Sequence, residues 1–166
     1  MIYRNAKPGE SEAIMSIIRE AIENMERVGV VQWNTSYPTS SIIENDILTR
    51  TGYVLEDEEG IVAYVCVNED QPIEYADIEW EGKKGRCCVI HRLVVSPKKQ
   101  GQGLAKQLIE AYEKKAKEDG FTSIRLDTYS KNPISMRLYP KMGYILRGEV
   151  HFFHHMDEFP VFEKQF

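Results

Sequence analysis

The sequence predicts a single α/β domain built around a mixed sheet, and three observations predict it. Strand-like and helix-like runs follow one another in the order β-α-α-β-β-β-α-β-α-β-β. In the second half these runs alternate, a pattern that places parallel strands side by side. The 166 residues are 42% hydrophobic and 28% charged, close to the average for globular domains. A chain of this length buries roughly two-thirds of its unfolded surface without metal or disulfide staples. No repeat, low-complexity tract or linker interrupts it, so residues 1–166 are expected to form one domain.

Each element has its own signal. Residues 2–5 read as a first strand, broken by Pro8 and Gly9. Ile14, Ile17, Ile18, Ala21, Ile22, Met25 and Val28 recur at three and four, one helical stripe stopped by Gly29. Residues 30–38, with Trp33, Asn34 and Tyr37, read as a loop. A shorter helix follows, with Ser41 and Glu44 in capping-box spacing and Ile43, Ile47 and Leu48 facing inward. Strands at 52–57 and 61–68 are joined by an acidic turn ending in Gly60. The polar stretch 69–85 reads as a long loop or irregular hairpin. RCCVIHRLVV, residues 86–95, is a central strand by its β-branched content. A helix at 102–119 turns Leu104, Leu108, Ile109, Tyr112 and Ala116 inward and stops at Gly120. A strand at 123–128, a helix at 133–142 stopped by Gly143, and two strands complete the chain.

Composition excludes several classes. Twenty-one Lys plus Arg against 26 Asp plus Glu leave a net charge of −5, the wrong sign for broad nucleic-acid binding. No apolar run approaches the roughly 20 residues that span a bilayer, and the opening MIYRNAKPGESEAI has no apolar signal core. A cytoplasmic protein with no nucleic-acid or membrane partner is expected. Cys66, Cys87 and Cys88 form no CxxC pair and read as reduced thiols, with neighbours 87 and 88 pointing to opposite faces. His151, His154 and His155 read as a solvated terminal hairpin, because on a strand 151 and 155 share a face that 154 does not. No metal is expected. The acidic runs 56–59 and 77–81 read as solvated surface.

The most informative stretch is VVSPKKQGQGLA, residues 94–105, where a strand enters a turn with two glycines that opens a helix. Helix N-termini carry unpaired amides and partial positive charge, and Gly101 and Gly103 let the backbone approach an anion such as phosphate. GxxxxGK[ST] is absent, and GxGxxG fails at Lys106.

The turn resembles the acetyl-CoA motif of the Gcn5-related N-acetyltransferase (GNAT) family, [RQ]-x-x-G-x-[GA], which Gln100-Gly-Gln-Gly103-Leu-Ala105 satisfies. Many members carry arginine just before the first glycine, where Gln100 stands. A second block, Asn132-Pro-Ile-Ser-Met-Arg-Leu-Tyr139-Pro-Lys-Met-Gly143-Tyr144, is similar to the family's N-x-x-[AS]-x-x-x-Y-x-x-x-G-[FY]. Asn132 suits a helix cap and Pro133 a first helical position, and Tyr139 follows on one face about 10 Å along. The resemblance implies a mostly antiparallel mixed sheet with parallel central strands flanked by helices. It implies acetyl transfer from acetyl-CoA to a primary amine of a small molecule, amino acid or peptide, without a covalent enzyme intermediate. It also admits a homodimer.

By the same resemblance, Leu93, Val94 and Val95 carry the pantetheine arm and polarise the thioester, and Gln100, Gly101, Gln102, Gly103, Leu104, Ala105 and Lys106 meet the pyrophosphate. Asn132 touches the cofactor arm and Tyr139 protonates the leaving thiolate. The base that deprotonates the amine is left open among His91, Glu79 and ordered water. Trp33, Tyr37 and Trp80 are candidates for the acceptor pocket, against ordinary packing. Asp127 ends a strand beside the presumed cleft, with either a functional or a structural role. Cys88 and His91 face opposite sides of a strand, so no Cys–His nucleophile is expected. Rival readings are an acyl-CoA sensor without turnover and a protein-interaction domain in which the glycine turn is only structural.

Overall fold

The computed structural model of the chain describes residues 1–82 and 84–166. Its elements are β1 (Ile2–Asn5), α1 (Ser11–Arg27), α2 (Ser40–Leu48), β2 (Gly52–Asp57), β3 (Gly60–Asn68), β4 (Arg86–Val95), α3 (Leu104–Glu118), β5 (Phe121–Asp127), α4 (Pro133–Lys141), β6 (Ile145–Val150) and β7 (Phe159–Gln165). The seven strands are ordered β1-β2-β3-β4-β5-β7-β6. β4 and β5 run parallel, while β1–β2, β2–β3, β5–β7 and β6–β7 run antiparallel. This is the mixed sheet that the sequence pattern predicts and the mostly antiparallel arrangement with a parallel central pair that the resemblance implies. Two compact units divide the chain: Met1–Val67 with Arg92–Ala111, and Asn68–His91 with Tyr112–Phe166. β4 and α3 contribute to both.

The first unit is closed by the stripe of α1, whose Ile14 and Ile18 have no exposed surface and pack with Ile43, Val54 and Tyr64. Each such side chain contributes about 1.5–3 kcal/mol by leaving water. Two expectations for α2 are corrected. Its N-cap is Thr39, in extended conformation, whose hydroxyl accepts the Ile42 amide at 3.4 Å and whose carbonyl accepts it at 3.1 Å, so Ser41 and Glu44 form no capping box. Leu48 is 77% exposed, because Ile43, Asp46 and Ile47 make the inward face and Leu48 lies a further 100° round the helix.

In the second unit, the register of the parallel pair runs from Arg86↔Phe121 to Ile90↔Leu126. The loop expected at 69–85 contains a short 3-10 turn, Ile73–Asp77; Lys83 lies outside the described residues. Glu163 on β7 ties this segment down from a fully buried position. It accepts the Glu81 and Gly82 amides at 3.0 and 3.1 Å, Arg125 Nε at 3.3 Å and Arg147 Nε at 3.1 Å. The three C-terminal histidines lie in the β6–β7 loop rather than on a strand: His151 and His154 are exposed, and His155 packs edge-on against Tyr129 and Phe159.

Candidate functional site

In the first unit, β4 ends at Val95 and the chain passes through the 3-10 turn Pro97–Lys99 into the glycine pair. Leu93 and Val95 are half-buried and Val94 is buried between them. Gly101 and Gly103 adopt φ of +78° and +75°, a left-handed conformation that costs other residues about 1–2 kcal/mol. A Cβ at either would meet nothing within 4 Å, so the constraint is on backbone conformation and not on space. The first amide of α3 with a backbone acceptor is that of Gln107, on the Gly103 carbonyl at 3.0 Å. Among the described residues, the amides of residues 101–106 have no backbone acceptor.

These six donors sit where the positive end of the α3 dipole lies. The lysines around them are largely committed. Lys98 Nζ reaches Glu20 at 2.9 Å, Lys99 Nζ reaches Asp57 and Glu59 at 3.1 and 2.6 Å, and Lys106 lies 3.7 Å from Glu110. Backbone amides, more than free side-chain charge, are what this turn presents to an anion. Gln100, Gln102 and Lys106 are exposed, Leu104 is buried and Ala105 half-buried.

The same unit holds a polar cluster that the sequence did not reveal. Arg92 grips buried Asp46 with two bonds, Nε to Oδ2 at 3.0 Å and Nη2 to Oδ1 at 2.6 Å. Its Nη1 donates to the Tyr37 hydroxyl at 3.1 Å, and the Tyr64 hydroxyl donates to Asp46 Oδ2 at 2.5 Å. Tyr37 is therefore fixed by β4 while staying partly exposed, and Trp33 packs against the core beside α1. Cys66 sits in this cluster with its thiol pushed up to about 12 by burial, and the Arg92 charge only partly opposes that. All three cysteines are free thiols. Burial likewise pushes Cys88 up to about 12 and raises Cys87.

In the second unit, Asn132 caps α4. Its side-chain oxygen accepts the Ile134 and Ser135 amides at 3.2 and 3.3 Å, with Pro133 at the first helical position. Two turns on, Tyr139 is 5% exposed, its ring 5.7 Å from that of Tyr144 and 6.0 Å from that of Phe162. Burial and, next, the charge of Asp127 raise its pKa well above the ordinary tyrosine value. Pro140 lies inside the last turn of α4, where it leaves the Met136 carbonyl without the usual amide.

Asp127, at the end of β5, accepts the Tyr75 hydroxyl on Oδ2 at 2.7 Å. Burial pushes its pKa up to about 6, against the pull of the Tyr75 bond, and neighbouring Glu74 adds to the rise. A carboxylate poised there can take a proton near neutral pH. His91, half-buried on β4, bonds through Nε2 to the Asn68 side-chain oxygen at 2.6 Å. An amide oxygen only accepts, so Nε2 carries the ring proton in this pairing. Glu79 is exposed.

Trp80 is placed differently from the acceptor-pocket expectation. It is 8% exposed, its indole N–H donates to the Tyr75 carbonyl at 3.1 Å, and the Arg125 guanidinium covers its ring at 4.2 Å. Its surface is spent on packing beneath Tyr75. Sequence reasoning left Tyr75, Asp46 and Arg92 without a role and left Asp127 open between a functional and a structural one. Their only signal was chemical type, since each meets its partner across 46 or 52 residues of chain. Among the described residues no group of three or more His, Cys, Asp or Glu is placed to hold a metal ion, and no helix is long and apolar enough to cross a membrane.

The comparison with curated proteins found no match. Among solved structures, the chain is similar to a GNAT-family acetyltransferase of Streptococcus agalactiae, with 25% identity and a TM-score of 0.85 over 99% of this chain and 95% of that one. It also resembles the PaiA N-acetyltransferase of Thermoplasma acidophilum in complex with coenzyme A, at 14% identity and a TM-score of 0.75 over 99% and 98%. YncA of Salmonella typhimurium with its cofactor acetyl-CoA is similar at 18% identity and a TM-score of 0.73 over 99% and 93%. At those two identities the likeness is one of fold. The model of the acetyltransferase (GNAT) family matches residues 15–144. With its glycine turn and its Asn132–Tyr139 helix in the family's order, the chain belongs to the acetyltransferase (GNAT) family.

Proposed function

We propose that residues 1–166 work as one N-acetyltransferase domain, which moves an acetyl group from acetyl-CoA to a primary amine of a small molecule, amino acid or peptide by direct transfer. The observation that carries this reading is the run of amides at 101–106 without backbone acceptors, formed by two left-handed glycines at a helix start. Such a run suits a pyrophosphate, and fold neighbours that hold coenzyme A or acetyl-CoA support the assignment. When bound, acetyl-CoA supplies the acyl thioester.

The chain's residues do the rest. Leu93, Val94 and Val95 line the cofactor arm with backbone groups, Gln100 and residues 101–106 hold its phosphates, and Asn132 meets the arm beside its capping role. Tyr139, kept protonated by its surroundings, donates to the departing sulfur. Asp127 accepts the amine's proton, directly or through water. His91 is the second candidate, although its Nε2 is engaged with Asn68. Trp33 and Tyr37 offer aromatic surface to the acceptor, with Tyr37 steadied by Arg92.

Calorimetric titration with acetyl-CoA, with NADH and ATP as controls, tests the reading. Saturable micromolar binding of acetyl-CoA alone is expected, weakened at least tenfold in Gly103→Ala, where a Cβ strains the turn without touching a neighbour. No binding at millimolar ligand rejects the function. Tight binding with no transfer to any of a panel of amines points instead to an acyl-CoA sensor.

A further inference from the structure

The segment between β3 and β4 delivers a tyrosine to Asp127 and is fastened on both sides of it. Tyr75 is 2% exposed in a five-residue 3-10 turn that could not hold it alone. Trp80 lies against its ring at 5.1 Å and bonds its carbonyl. Arg125, stacked on Trp80, donates to the Gln71 side chain at 2.6 Å and to the Gly82 carbonyl at 3.1 Å. Glu163 holds the Glu81 and Gly82 amides. A ring needed only to fill space requires no hydroxyl. This hydroxyl is buried, and burial together with Asp127 raises its pKa far above the ordinary value, so it stays protonated as the donor to Asp127.

Resting on the acetyl-transfer reading, we propose that Tyr75 is a positioning residue of the proton-transfer site. By occupying Asp127 Oδ2 it leaves Oδ1 as the oxygen offered to the amine's proton, and it sets how tightly that oxygen holds it. Among the described residues, Oδ1 has no protein donor, and no lysine or arginine pairs with this carboxylate. The groups that face Asp127 are Tyr75 and Glu74 from the segment and Tyr139 from α4; β7 pairs it with uncharged Val161, and on β4 the pairing Ile90↔Leu126 puts the titratable His91 at the next register position. Tyr75 is thus the group that stabilises the anion, and Glu74 opposes it.

The test follows the Asp127 carboxyl by carbon NMR in protein labelled at aspartate and tyrosine side chains, with Asp127→Asn identifying the signal. In the wild type, the Tyr75 Cζ shift is expected to titrate with the Asp127 midpoint. In Tyr75→Phe, proton affinity at Asp127 is expected to rise about tenfold, moving the midpoint up by about one pH unit. Glu74→Gln moves it down. The acid limb of kcat/KM for an accepted amine moves with the NMR midpoint in each variant. An unmoved midpoint in Tyr75→Phe, or a Tyr75 signal blind to Asp127 in the wild type, overturns the inference and leaves acetyl transfer standing. A moved midpoint with an unmoved acid limb also overturns it, because Asp127 then takes no part in turnover. Absence of transfer to any amine by the wild type rejects the underlying reading instead.

Discussion

Replacing Tyr139 by phenylalanine removes one oxygen that, on the acetyl-transfer reading, protonates the leaving thiolate and that has no hydrogen-bond partner among the described residues. The ring keeps its contacts with Tyr144 and Phe162, and no hydrogen bond figures among the influences on the hydroxyl, only burial and Asp127. The folding free energy should therefore change by less than about 0.5 kcal/mol, too little to move Tm by more than a few degrees. If the hydroxyl protonates the departing thiolate, kcat falls about 10²-fold, or about 2.7 kcal/mol of barrier, while the Kd for acetyl-CoA stays within about twofold. Because burial and Asp127 raise the hydroxyl's pKa, wild-type activity should show no basic limb from this residue between about pH 6 and pH 9. The assay follows release of free thiol with a chromogenic reagent across that range, beside thermal unfolding and cofactor titration on the same samples. An unchanged kcat removes Tyr139 from the mechanism. A fall in kcat matched by a large loss of stability traces the effect to packing.

Asp46→Ala leaves Arg92 buried without its carboxylate and frees the Tyr64 hydroxyl; urea unfolding should register a loss of about 3–5 kcal/mol, and a loss under about 1 kcal/mol would refute the pairing. Asp127, raised from 3.8 to about 6, binds its proton more tightly folded than unfolded. Its contribution to stability is therefore complete below about pH 4 and is lost as pH rises through about 6. Asp127→Asn should gain on the wild type by up to about 3 kcal/mol between about pH 4 and pH 7; a gap that stays constant across that range rejects the buried carboxyl.

The order of strands and helices was legible because apolar periodicity reports which face an element buries. Ile14, Ile17, Ile18, Ala21 and Ile22 of α1 and the five inward residues of α3 are buried as their spacing predicts. Met25 is only half-buried, and Val28, at the helix end, is 70% exposed because the core no longer covers that last turn. The glycine turn and the Asn132 cap were legible because a backbone conformation or a cap writes a local residue preference. Element ends were harder: Thr39, not Ser41, caps α2, and Leu48 shares its composition with the core but not its face. Polar networks were the least legible. Glu163 gathers Arg125, Arg147 and two amides from positions up to 82 residues away, and a lone glutamate on a strand carries no mark of those partners. For Trp80 the choice between acceptor pocket and packing was open for the same reason, since its packing depends on Arg125 and Tyr75 reaching it through space.

The open space around Gly101 and Gly103 means that chirality, rather than size, is what these positions select. A mirror-image alanine, introduced by chemical ligation, would prefer the very backbone angles that the natural L-alanine resists. It would also narrow the unfolded chain's freedom at that bond, stabilising the fold where the L residue strains it. Because every chiral encoded residue is the L enantiomer, achiral glycine is the encoded residue that takes a left-handed turn at no steric cost, at the expense of a loop that must be ordered anew each time the protein folds.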